Sequence, residues 1–266
     1  MKKFIFVLSV ILLSFTFLGC PFYKNLEDFS IKSPEEIVEL MNQYFPTSFT
    51  LKSYYEVNES NYKYLVVKLE AEDLPQKEVK AVQFIASPWE FEIIDELADS
   101  YSTKARTTIP YVQETFMTDY YFVKYQEELY SEIHNLYQPL LQNLTENVDY
   151  VLAIKPDLYD LPIADKQDST PAKKRHFKNA TDFLEHESLT TYLLINKEWT
   201  SEEENIFNSF QNEVREKNLG YDIYGRFFYS TKLNPADISI KQLEKLHSLS
   251  DEETLTSGIT EESFFL

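Results

Sequence analysis

The stretch SPEEIVELMNQYFPTSFTLKSYYEVNESNYKYLVVKLEA, residues 33–71, changes hydrophobic period in its middle, and that change decides the fold class. Ser33-Pro34-Glu35-Glu36 sets an N-cap serine, a proline at the first helical position and a glutamate at N3, the pattern of a capping box. Ile37, Val38, Leu40, Met41, Tyr44 and Phe45 follow at helical spacing, and Pro46 stops the run. From Phe49 the period falls to two. Phe49, Leu51, Tyr55 and Val57 alternate in one run and Leu65, Val67 and Leu69 in the next, with turn-like residues 58–61 between them, which predicts a hairpin.

A third strand is expected over about 79–86. Ser87-Pro88-Trp89-Glu90 then repeats the capping pattern ahead of Phe91, Ile94, Leu97, Ala98 and Tyr101. Residues 33–106 therefore read as an α-β-β-β-α subdomain. Residues 107–250 read differently. Residues 107–125 are rich in β-branched and aromatic side chains, with Pro110 at an edge or break. A helix is expected over 127–144, bent at Pro139, followed by a strand over 149–155. Strand, helix and strand return at 191–196, 201–217 and 221–231, with Thr200 and Glu203 as caps and Gly220 closing the helix. Two β-α-β units of similar length raise the idea of a degenerate repeat, although their side chains differ. A last helix over about 235–249 and an acidic tail, 251–266, complete an α+β chain. Its mixed or antiparallel sheets have flanking helices, with room for two α/β subdomains.

Residues 156–178 break this rhythm. Pro156, Pro162 and Pro171 and a series of aspartates predict a loop too long for an ordinary connection. It ends in Lys173, Lys174, Arg175, His176 and Lys178, the dense basic cluster of an acidic protein. That cluster is a candidate contact for an acidic partner or for lipid headgroups. The more economical reading is a solvated loop whose cations balance its own aspartates.

The N-terminus carries a different message. Lys2 and Lys3 precede an apolar run from Phe4 to Leu18, shorter than the ~20 residues that cross a bilayer as a helix. The run ends at Phe17-Leu18-Gly19-Cys20, and Cys20 is the one cysteine of the chain. This resembles the lipobox of bacterial lipoprotein precursors over residues 1–20. It departs from the usual pattern, which has leucine two places before the glycine and a small residue between. The resemblance implies a signal peptide at 1–19, a diacylglyceryl or palmitate-type lipid on Cys20, and a tether at 20–32. It implies an extracytoplasmic protein held at a cell membrane or outer envelope, while the mature domain resembles no family. Internal disulfides are excluded by composition, so stability must come from an apolar core.

The formal net charge of −19 becomes −21 without Lys2 and Lys3. So acidic a surface repels phosphates, and nucleic acid is not an expected partner. Gly220, Gly225 and Gly258 cannot spell a phosphate-binding loop or a dinucleotide fingerprint. No GxSxG elbow is present. His186-Glu187-Ser188-Leu189-Thr190 starts like a zinc-protease helix but has threonine where the second histidine belongs, and the aspartates at 157, 160, 165 and 168 lack EF-hand spacing. No cofactor, metal or catalytic residue is assigned. Glu127-Glu128 and Glu202-Glu203-Glu204 are expected in first helical turns, where they favour the macrodipole. Tyr54, Tyr55, Tyr62, Tyr64, Tyr120, Tyr121, Tyr224 and Tyr229 are expected mainly to pack sheets, with a partner or sugar surface as the other reading. The sequence thus favours a membrane-anchored binding or envelope-accessory module, whose partner would be an envelope protein or small ligand. An envelope hydrolase working through unidentified carboxylates and a surface-displayed contact protein remain alternatives.

Overall fold

A computed structural model describes residues 30–58, 62–86, 113–144, 148–155, 158–160, 176–217, 219–247 and 258–266. Helix α1 (Pro34–Tyr44) starts where expected. The Ser33 hydroxyl accepts the Glu36 N–H at 3.2 Å, and the Glu36 carboxylate accepts the Ser33 N–H at 2.7 Å. Its buried face, Ile37, Met41 and Tyr44, lies on a sheet that begins with β1 (Phe49–Asn58), β2 (Tyr62–Ala71) and β3 (Val79–Ala86). The β1–β2 hairpin pairs Phe49 with Ala71 and Asn58 with Lys63, with a bulge between Leu51 and Ser53. The expected second capped helix, from Ser87, lies outside the described residues.

The division into sheets does not fall at residue 106. Strand β4 (Gln113–Thr118) pairs antiparallel with β3, and the short β6 (Tyr159–Asp160) pairs with β4, giving the order β1-β2-β3-β4-β6. A second sheet, ordered β5-β7-β8-β9, holds β5 (Tyr150–Ile154), β7 (Leu189–Ile195), β8 (Ile223–Tyr229) and β9 (Thr260–Phe265). The fold is α+β, with antiparallel and mixed sheets and flanking helices. Within the second sheet, β7 and β8 run parallel and are joined through α4 (Ser201–Lys217), a true β-α-β crossover.

Several expectations are corrected. The two β-α-β units do not match as a repeat, because β4 and β5 flank a helix but belong to different sheets. That helix, α2 (Tyr120–Asn143), starts earlier than its composition suggests and continues through Pro139. Tyr120 and Tyr121 are therefore buried helical residues, and Glu127 and Glu128 sit well inside the helix rather than in its first turn. Residues 260–265 are no loose tail: β9 pairs with β8 and buries Phe264 against the core. Residues 156–178 are not loop throughout, since Tyr159 belongs to β6 and both Tyr159 and Phe177 are buried. The last helical segment is divided into a 3-10 turn (Pro235–Asp237) and α5 (Ile240–His247).

One apolar core runs beneath both sheets, and α2 joins its two ends. Near the start of α2, Tyr120 and Tyr121 pack at an angle around Phe45, with ring centroids 4.7 and 5.4 Å away. Near its end, Tyr137 meets Phe210 of α4, Phe227 of β8 and Phe264 of β9 at 5.2–6.0 Å. The Tyr137 hydroxyl shares a hydrogen bond with the Thr191 hydroxyl on β7. The short α3 (Ala180–Leu184) closes one side through Phe183, which packs on Phe177 and Tyr159. On the far face of the second sheet, Leu243 of α5 covers a cluster with Tyr192, Leu194 and Phe228.

Candidate functional site: a groove beside the N-terminal strap

The described residues before α1 lie against the first sheet and form one wall of a groove. Antiparallel register puts Tyr54, Glu56 and Asn58 of β1 and Lys63 and Leu65 of β2 on the face that carries α1. Residues 30–34 and Glu36 line the groove from the other side, and its volume is about 680 Å³. Leu65, 1% exposed, is its buried apolar residue. Tyr54 is 56% exposed, which makes it the most open tyrosine on the described surface. It stands at the rim because β1 is the edge of its sheet and is largely exposed beyond its first residues.

A buried side chain ties segment 30–32 to the sheet. Gln83 of β3 is fully buried, and its amide oxygen accepts the Lys32 N–H at 2.7 Å. Its amide nitrogen donates to the Ser30 carbonyl at 3.2 Å. Ile31 packs against the main core, and the Lys32 ammonium lies 5.9 Å from the centre of the Phe116 ring. Residues 30–32 are therefore docked on the first sheet.

Glu36 lies below the ordinary carboxylate range, chiefly because the Ser33 backbone N–H bonds to it, so it serves the helix cap. A second depression, about 550 Å³, opens beside Asn42, Thr47 and Asp73. Asp73 there accepts the Tyr120 hydroxyl and the Lys124 ammonium, each at 2.7 Å. Burial pushes its carboxyl up, but bonds from Lys124, Tyr120 and Thr47 outweigh this and hold it below the usual range. Glu262 on β9 is pushed upward by burial and by Glu204, yet it lines neither concavity. Asp182, Glu185 and His186 bring possible ligand atoms within 4.8 Å of one another at the end of α3. Asp182 already accepts the Lys178 N–H, and His186 Nδ1 contacts the Asp182 carbonyl at 2.7 Å.

The residues singled out in the sequence are dispersed. Cys20, Lys173, Lys174 and Arg175 lie outside the described residues. The ring of His176 reaches the Tyr121 hydroxyl at 2.9 Å and lies beside Tyr44, at the border of the aromatic core. Lys178 is exposed, and its backbone N–H is bound by Asp182. Tyr64, Tyr120, Tyr121 and Tyr229 pack in the interior, while Tyr54 and Tyr55 stay open. Gln83 was not singled out, although the signal is present: in VKAVQFIA it shares its phase with Val79 and Ala81, a polar residue on the core-facing side.

No family model matches the chain, and no curated protein matches it in sequence. Among solved structures, it is similar to a DUF5037 family protein from Ruminococcus gnavus ATCC 29149. Identity is 12% over 87% of this chain and 90% of that one, with a TM-score of 0.30. No helix among the described residues is long and apolar enough to cross a membrane.

Proposed function

We propose that this protein is a lipid-anchored envelope lipoprotein whose folded part is a binding module, with the groove beside Tyr54 as its contact surface. The observation that carries the binding half is the groove itself. An exposed tyrosine and a buried leucine line it, together with the charged Lys32, Glu36, Glu56 and Lys63. Tyrosine at such a place offers a large, stiff contact surface with a polar tip, the kind of residue that anchors interfaces. Support for anchoring comes from the charged, apolar and Cys20-terminated sequence, together with the docked strap. Nine residues separate Cys20 from Ser30, so the groove stays within roughly 35 Å of a lipid on Cys20.

Photo-crosslinking in cells tests the contact surface. A benzoylphenylalanine at position 54 should give a discrete adduct, and the same probe at Phe265 should not, although Phe265 is 61% exposed on the edge strand of the other sheet. Loss of the adduct on Lys63→Glu would place it in the groove. No adduct at 54, or equal adducts at both positions, would overturn the assignment.

A further inference from the structure

We propose that residues 30–32 are a strap over the groove, that Gln83 is its latch, and that releasing the latch opens the groove from that side. Three observations combine here. The strap contributes a wall of the groove. Among the described residues, its backbone makes no hydrogen bond to the backbone of the sheet it lies against. Among the described residues, a fully buried amide satisfies one donor and one acceptor of the strap, helped by the partly buried Ile31 and by the Lys32 ammonium near the Phe116 ring.

A primary amide suits this task. Its C=O and NH2 present one acceptor and two donors on one planar group, so one side chain can bind the Lys32 N–H and the Ser30 carbonyl together. The amide faces inward among Val79, Ala81 and Phe116, where losing its bonds to Lys32 and Ser30 carries a cost. Strap and latch therefore favour each other strongly when closed. The next tie along the chain is the capping box at Ser33, which marks where an opening strap would stop. Any load applied through residue 29 meets the Gln83 bonds before it meets α1. The latch is thus placed to link the pull of an N-terminal attachment to the width of the groove. This coupling is a property of the fold and stands whether or not Cys20 carries lipid.

Hydrogen exchange and NMR on the full-length chain test the inference. In Gln83→Met, which keeps the length and apolar fit of the side chain, the Lys32 amide should exchange roughly tenfold faster or more, the scale of one or two lost hydrogen bonds. Amides in the β2–β3 ladder should keep their protection. The Leu65 methyls, buried in the parent protein, should become reachable by a soluble gadolinium chelate. Ile31→Ser attacks the strap from outside the sheet and should produce the same local loosening, so the test survives even if the Gln83 variant folds poorly. Unchanged Lys32 exchange in both variants would overturn the latch. So would loss of protection spread evenly through the first sheet, since Gln83 would then be an ordinary core residue. A loosened strap with Leu65 still shielded would overturn the opening of the groove.

Discussion

Phe227→Ala should cost about 3–5 kcal/mol of stability, the range for removing a large aromatic side chain from a packed core. Phe227 is fully buried at the centre of β8. Its ring lies 5.2 Å from Tyr137, 5.0 Å from Phe207, 6.0 Å from Phe210 and 5.5 Å from Phe264, so the rings of α2, α4 and β9 all meet on it. Those neighbours sit on elements fixed elsewhere and cannot collapse fully into the space. A urea titration should show the midpoint falling with little change in slope. Loss below about 1 kcal/mol would mean that the cluster can repack, contrary to a rigid core shared by the two sheets.

The second large effect involves a buried charge. The Glu203 side chain is 2% exposed and pairs with the Lys197 ammonium, while the Thr200 hydroxyl also donates to it. Burial pushes the Glu203 carboxyl up, but the bonds from Lys197 and Thr200 outweigh it, and the net position is below the ordinary value of 4.5. Removing the cation in Lys197→Met leaves a carboxylate that α4 cannot turn out to solvent. Breaking a fully buried pair costs about 3–5 kcal/mol. Lys197 is 24% exposed, so about 2–3 kcal/mol is expected at pH 7. The sign of the pH dependence follows. A carboxyl depressed in the folded state adds stability above its unfolded value of about 4.5, and that stability is lost as pH falls through the folded value. The deficit of Lys197→Met should therefore narrow as pH is lowered below about 4.5, once Glu203 is protonated in both proteins. A deficit that stayed constant through that range would remove the charge from the explanation.

Features that depend on near neighbours along the chain are legible in the residues themselves. The Ser33–Glu36 capping box, the change of period at Phe49 and the bounds of α4 at residues 201 and 217 all appear as expected. Each is a local matter of backbone donors, side-chain spacing and turn chemistry. What escaped depends on distant partners. Tyr120–Tyr125 has strand-forming composition, yet it becomes helix because its rings fill the space among Phe45, Tyr159 and Phe177. Strand β4 looks like the start of a β-α-β unit, and nothing in its own residues says that β5 joins another sheet. Strand β9 hides within acidic residues because its two glutamates oppose Phe227 and Phe228 across a ladder with β8. The groove was legible only in part. Tyr54 is one of eight tyrosines that read mainly as sheet packing, its exposure comes from an edge position, and the role of Gln83 needs the strap beside it.

The intact mass of the protein extracted from bacterial membranes tests the proposed lipid on Cys20 most directly. The mass expected is that of residues 20–266 plus a diacylglyceryl group, with or without a further acyl chain, and labelled palmitate should enter the same species. Cys20→Ser should run at full precursor mass without label. A wild-type protein recovered at full precursor mass and free of lipid, or palmitate incorporated equally by Cys20→Ser, would contradict it.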